Sequence, residues 1–479
     1  MRRIIGNVVR KIFGRRKASA ARRAEPPPPV IVRREEHTIS RSRLDENALK
    51  VLNRLARHNY TAFLVGGGVR DLLLDRPVKD FDIATSAHPN EIKQLFRNCR
   101  LIGRRFRLAH ILFKGGTVIE VSTFRRQAGF SDEGDLLIRS DNTFGTPEED
   151  ARRRDFTING LFYSITDFSV IDYVGGLEDL EARLIRTIGD PGIRFQEDPV
   201  RILRGIRLAA RLGLAIEPAT RRAMGEHREA IWKCAAPRVL EEFVRMLNQG
   251  AASASFPLLA HVGVLEGMLP GFAAAYAKPA IRAEVDRDLA ALDAHVKPRT
   301  GLTAGLALAV LYYPLLHDGL EAASADADRV RLAAELLEAD LGRLSFPRGQ
   351  MDRAVTLLAA QQRLARQGTS RQRPAALAAR GWFPDALTLF EITQGDTPEG
   401  RATLRRWRTL REQVAGTARD AAVGEAGTGA EHPGRDGDEP ADGRPRGKRR
   451  RRRGGRGRKR RTAADSPGTD AEPTETDAG

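Results

Sequence analysis

Residues 64–85 read LVGGGVRDLLLDRPVKDFDIAT, and this stretch limits the possible folds more than any other in the chain. Its first half is a short apolar run, three glycines and an amphipathic segment from Val69. That pattern predicts a strand, a tight turn and the start of a helix. Gly66 and Gly67 have no Cβ, so backbone N–H groups there can come close to a phosphate. The second half spaces Asp80 and Asp82 two apart, with Phe81 between them. On a strand this turns both carboxylates to one face and Phe81 to the core. A triple glycine by itself is usually only a turn, and a lone Asp-x-Asp is usually a solvated strand edge. Within about twenty residues of each other they form a phosphate cradle beside a carboxylate pair suited to divalent cations. The combination implies nucleotidyl transfer.

Length and charge set the frame around this core. The 479 residues are enough for two or three packed domains, and 41% of them are apolar. No apolar run is long enough for a transmembrane helix. Cys99 and Cys234 are far apart without metal-ligand spacing, so no disulfide framework is expected and a reducing, cytoplasmic setting is. The net charge is +18, but residues 1–34 alone carry +10 and residues 444–461 carry +13. The middle of the chain is therefore nearly balanced. Basic ends on a near-neutral body predict a polyanionic partner.

The chain divides by composition. Residues 1–36 form a basic arm with a Pro26–Pro29 linker, and the arm's near-helical spacing suits RNA or an anionic membrane surface. A mixed α/β head is expected over 37–180. It should hold a helix over Asp45–His58, another over Pro89–Asn98, and strands near 109–114, 117–124, 161–163 and 170–173. Residues 126–147 read as a loop. A helical neck over 181–248 and a helical body over 249–415 follow, with no strand pattern beyond Phe195. From 416 the composition predicts disorder, with an acidic spacer and the run RPRGKRRRRRGGRGRKRR.

The motifs GG-x-VRD and KDFD-x-AT resemble the head shared by bacterial poly(A) polymerases and CCA-adding tRNA nucleotidyltransferases, the class II nucleotidyltransferases. The likeness is dense from 37 to 248, looser through the body and compositional at both ends. The segment LIGRRFRLAHI at 101–111 is similar to the proteobacterial poly(A) polymerase branch and not to the CCA-adding branch. Asp75-Arg76-Pro77 and Gly68 depart from the usual family residues at turn positions, where only a shifted loop is expected.

By itself Glu120, in IEVSTFR, is an ordinary strand-face glutamate, or a third carboxylate if its strand lies beside Asp82. The resemblance implies the latter, so Asp80, Asp82 and Glu120 would hold Mg²⁺ or Mn²⁺. It assigns Gly66, Gly67, Arg70 and Asp71, with Arg153, Arg154 and Asn159, to the nucleotide. Asp155 of the RRD motif would serve either the metal centre or the ribose and Arg70. In EDPVRILRGIR, Asp198 suits an N-cap and Pro199 the first helical position, with Glu197, Asp198 and Arg201 able to share a face. The family's EDxxR motif implies that Asp198 and Arg201 read the base, with Arg204 and Arg207 close by. RNA would be met by Arg104, Arg105 and Arg107 and by Lys448, Arg449, Arg450, Arg451, Arg452, Arg453, Arg458 and Lys459. His317-Asp318 lacks the further ligands of an HD metal site. What the resemblance implies is a monomeric, ATP-using RNA 3′-adenylyltransferase with RNA 3′ ends and RNA-decay proteins as partners. A CCA-adding enzyme is the alternative.

Overall fold

A computed structural model describes residues 28–103, 108–126, 143–296, 302–366 and 374–426, with backbone alone over 416–426. The chain divides into a unit of residues 1–420, which holds every feature below except the end of the last helix, and a unit of residues 421–479. Of the latter, residues 421–426 are described, as the end of a helix.

The head is built on one eight-stranded mixed sheet. Its strands are β1 (Val30–Val32), β2 (Ala62–Val65), β3 (Asp82–Thr85), β4 (Cys99–Ile102), β5 (Leu108–Leu112), β6 (Val118–Thr123), β7 (Leu161–Tyr163) and β8 (Val170–Asp172). Their order is β1-β8-β7-β2-β3-β6-β5-β4, and only β3 and β6 run parallel. The sheet therefore begins inside the stretch expected to be a proline linker, since Val30–Val32 pairs with β8. β4 was not expected either.

The turn after β2 forms as the glycines predict. Gly66 has φ +74° and ends β2, and the helix Gly67–Leu73 follows at once. Asp45 caps the helix Glu46–Arg57 through the N–H groups of Asn47 and Ala48. Val51, Leu52 and Leu55 of that helix enter the main core. One sheet face, including Leu64, Ile83, Ile111 and Val121, packs on this core, which continues without a break into the neck and body. The other face has a smaller cluster of Val65, Ala84, Phe124 and Phe162, covered by Ala151 of the helix Pro147–Arg152.

Beyond the head the chain is helical apart from one pair, β9 (Leu184–Ile185) with β10 (Ala215–Ile216), which places a short strand past Phe195. The helix Val200–Leu212 forms the neck, closed by Gly213 in the left-handed region. In the body, Phe256, Phe272, Tyr276 and Tyr312 pack ring to ring at 5.5–5.7 Å. The last helix, Pro398–Ala426, runs past the point where composition predicted disorder. Alanine supports it there: good helix propensity continues after large apolar residues cease. Among the described residues no helix is long and apolar enough to cross a membrane.

Candidate active site

Strand register builds the site. Val65 pairs with both Phe162 and Asp82, Asp82 pairs with Glu120, and Glu120 pairs with His110, which in turn faces Arg100. Paired residues share a face, so Phe162, Val65, Asp82, Glu120, His110 and Arg100 form one row across six strands. The row is apolar on the β7–β2 side, doubly acidic at its centre and basic on the β5–β4 side.

Asp80 sits exposed just ahead of β3, and Phe81 packs partly against the main core. Burial and the Glu120 charge push the Asp82 carboxyl up to about 6; Asp80 adds to this and Arg154 opposes it. Glu120 is half exposed, and His110 Nε2 lies 3.3 Å from its Oε1. Among the described residues no three Asp, Glu, His or Cys side chains gather as a ready metal cage. The donor set nonetheless fits Mg²⁺. These are hard carboxylate oxygens with charge in excess, and Mg²⁺ usually takes one or two carboxylates and completes its shell with water and substrate phosphates.

The arginines arrive on the helix Pro147–Arg152. Its start carries a capping box, with Thr146 Oγ1 accepting from Glu149 N and Glu149 accepting from Thr146 N. Ala151 seats it on the sheet, and the chain then delivers Arg153 and Arg154. Arg154 lies over the Phe162 ring at 5.3 Å. Glycine is required at Gly66 by its φ, and a Cβ there would stand 2.9 Å from Arg154 Nη1 and so displace the guanidinium. Gly68 has ordinary space for a Cβ, which agrees with its substitution being harmless. Fully buried Asp150 accepts from Arg153 Nε at 2.9 Å, Arg154 Nη2 at 2.8 Å and the backbone of Arg125. Burial alone would raise its pKa, but Arg154 and Arg153 bring it below the usual range.

A second network joins head to neck. Arg70 is buried and donates to Asp71 Oδ1 at 2.9 and 2.7 Å and to Asn159 Oδ1 at 2.5 Å. Asn159 donates to Asp155 Oδ1, which also accepts from Phe156 N, while Asp155 Oδ2 takes Arg204 Nη1 at 3.1 Å. Asp71 Oδ2 receives Arg211. Desolvation would raise Asp155, yet Arg204, Asn159 and Phe156 N hold it at about 2. Asp155 and Arg70 are thus linked through Asn159, and Gly66 spends its N–H on Leu161 O.

The EDPVR segment departs from expectation. Asp198 does not cap the following helix with its side chain; Pro199 is the N-cap, and the Asp198 carboxylate is held by Arg238 at 2.9 and 2.7 Å. Arg201 turns away from Asp198 to Glu197 Oε2 at 3.1 Å and to the carbonyls of Arg194 and Arg153. Glu197 also accepts from Arg194 at 2.6 Å, and Arg194 donates to the carbonyls of both Arg153 and Arg154. Arg204 and Arg207 share buried Glu242. The structure therefore brings together Asp82, Glu120, Gly66 and Arg154 on one side, and Arg70, Asn159, Asp155 and Arg204 on the other. It leaves Asp198 and Arg201 with separate partners. Arg104, Arg105 and Arg107, and the basic residues from Lys448 to Lys459, lie outside the described residues.

Asp150, Arg194, Arg238 and Glu242 escaped the sequence reading. Asp150 could have been found, since it stands four residues before Arg154 on a helix. Arg194 likewise has a local partner, Glu197 three residues on, whereas Arg238 and Glu242 meet theirs across 35 residues or more.

Residues 62–186 match the model of the poly A polymerase head domain. That stretch spans the sheet from β2 to β8, the helix that carries the arginines and the Asp82–Glu120 row. Residues 213–276 match a model described as the probable RNA and SrmB-binding site of polymerase A. Among curated relatives, poly(A) polymerase I of Escherichia coli O6:H1 is 44% identical over 275 residues, which cover 56% of this chain and 59% of that protein. The CCA-adding enzyme of Lactobacillus gasseri is 40% identical over 227 residues, covering 47% and 55%. The chain thus spans less than two thirds of these relatives' length. The crystal structure of the Bacillus stearothermophilus CCA-adding enzyme in complex with CTP superposes with a TM-score of 0.58 at 27% identity, covering 76% of this chain and 82% of that one.

Proposed function

We propose that the chain is a template-independent adenylyltransferase that adds AMP from ATP to RNA 3′ ends. The observation that carries this reading is the central row of the sheet, where Asp82 lies beside Glu120 and feels the charge of Arg154, whose guanidinium approaches Gly66. Asp80, Asp82 and Glu120 would hold Mg²⁺, with Mn²⁺ as a substitute; the bound metal would activate the 3′-hydroxyl and stabilise charge on the departing pyrophosphate. Arg154, with Arg153 beside it, presents a fork suited to triphosphate oxygens. Asp150 fixes the fork before substrate arrives, so little ordering is left to the binding step.

Gly66 and Gly67 keep the backbone turn open on that side. Arg70 and Asp71 serve as a buried bracket, with Asn159 and Asp155, that sets the turn against the neck. Asp155 therefore belongs to this ribose-side bracket in our reading and not to the metal. Asp198 and Arg201 read adenine, aided by Arg204, by exchanging their present partners Arg238 and Glu197 for the base. The basic tail and the neck and body supply general RNA affinity. RNA and an SrmB-like protein are the partners suggested by the match of residues 213–276.

A CCA-adding activity is the second reading, favoured by the likeness to the CTP-bound enzyme. Primer extension with purified protein, Mg²⁺ and an unstructured RNA, offered ATP or CTP separately, decides between them. A long ladder with ATP alone supports the adenylyltransferase. Addition of C, C and A to a trimmed tRNA, without extension of the simple primer, supports the alternative.

A further inference from the structure

The face of the sheet that bears Asp82 is covered unequally. Over β7 and β2 it is closed by Ala151, which packs with the buried Phe162 and Val65 of those strands. Over β6, β5 and β4 the described residues leave it open: Ile102 is 46% and Val118 41% exposed, and Arg100 is exposed. Register assigns these side chains to the Asp82–Glu120 face. Arg100 opposes His110, Ile102 opposes Leu108, and Leu112 opposes Val118. Arg100 has no ion-pair partner among the described residues, and exposed apolar side chains flank the cation row on both sides.

In-line transfer requires the attacking oxygen and the leaving pyrophosphate to lie on opposite sides of the reacting phosphorus. The arginines suited to the triphosphate, Arg154 above all, stand on the β2–β7 side of Asp82. The nucleophile must then enter from the β6–β5 side, over the open face. Resting on the adenylyltransferase reading above, we propose that this face seats the last nucleotides of the RNA primer. Arg100 takes a backbone phosphate, and Ile102 and Val118 lie against bases. Arg100 is three strands from Asp82, about 14 Å at the usual strand spacing. It therefore meets the primer upstream of its reacting end. Unpatterned apolar contact and a single cation suit a primer bound without sequence preference.

The test uses the full chain and a short unstructured RNA carrying 4-thiouridine one position before its 3′ end. Irradiation should attach the RNA to the peptide that spans β4 and β5. Arg100→Glu should raise KM for primer about tenfold and reduce the magnitude of the salt slope of RNA binding by about 0.7, the share of one phosphate contact. KM for ATP should stay within about twofold. Ile102→Ser should raise primer KM without moving the salt slope, which separates the two contact types. Crosslinks confined to the neck and body, or an unchanged primer KM in both variants, would overturn the proposal. So would a change in oligomeric state with RNA affinity intact. If the wild-type chain binds and crosslinks RNA through β4 and β5 but fails to add AMP, the adenylyltransferase reading falls and the primer seat stands.

Discussion

Asp155 and Asp288 are both buried, and their surroundings drive them in opposite directions. Burial favours the neutral form of each. At Asp155 it is outweighed by Arg204, Asn159 and the Phe156 N–H, which hold the carboxyl at about 2. Its folded pKa lies below its unfolded one, so the stabilisation is complete above about pH 4 and is lost as pH falls toward 2. The shift corresponds to about 2 kcal/mol. Asp155→Asn should lower stability by that order at pH 7, with the gap narrowing below about pH 4 in urea titrations. At Asp288 burial wins. Arg287 only partly offsets it, Glu284 adds to it, and the carboxyl rises to about 6 while Oδ2 has no hydrogen-bond partner. Here the folded pKa exceeds the unfolded one, so the ionised group costs stability above about pH 6, and the cost vanishes as pH falls below 4. Asp288→Asn should therefore stabilise the protein at pH 8 by about 2 kcal/mol and leave it unchanged near pH 4. Equal melting temperatures of variant and parent at pH 8 would refute this.

The helix Pro147–Arg152 shows how a short element can carry a site. It has a capping box, proline in its first turn, three acids there and two arginines directly after it. Asp150 couples the two ends, since a fully buried carboxylate is tolerable only beside Arg153 and Arg154. Asp150→Ala should cost about 3 kcal/mol in chemical denaturation and raise KM for ATP, because both forks lose their anchor. An unchanged KM for ATP would separate Asp150 from nucleotide binding. Arg153 and Arg154 were legible in the sequence as a motif, whereas their anchor Asp150 was missed although it lies within four residues of both. The β2 turn was legible too, with Asp82 after it; Asp80 falls just outside β3 and so does not share its strand face as the spacing predicted, while strand alternation marked Glu120. The neighbouring of β3 and β6 came only from family resemblance, as register between strands 38 residues apart leaves no local trace. Asp198 was misread for the same reason. Its local sequence is that of an N-cap, but Arg238 offers two charge-assisted hydrogen bonds where a cap offers one or two neutral donors. Edge strands β1 and β4 were missed because each is only three or four residues long and is held by its neighbour.

At the scale of the whole molecule, charge and fold are separated along the chain. Residues 444–461 carry +13 of a total of +18, while the folded middle pairs its arginines internally, as Arg204, Arg207 and Arg194 do with Glu242 and Glu197. Internally paired cations give little attraction to RNA, because their charge is already neutralised. Under the proposed function, general RNA affinity would come largely from the basic ends and the chemistry from the head. This division can be tested by deleting residues 444–461. Each phosphate neutralised on a single strand contributes about 0.7 to the dependence of log affinity on log salt. If only about a third of the thirteen charges meet phosphate, deletion should flatten that slope by about 3 and weaken binding at low salt by more than tenfold. Turnover on a saturating short primer should change less than twofold, since such a primer needs the sheet face and not the tail. Filter binding over a range of salt gives the slope, and primer extension gives the turnover. A slope that stays the same would place RNA affinity on the folded body, and a collapse of turnover at saturating primer would make the tail part of the catalytic cycle.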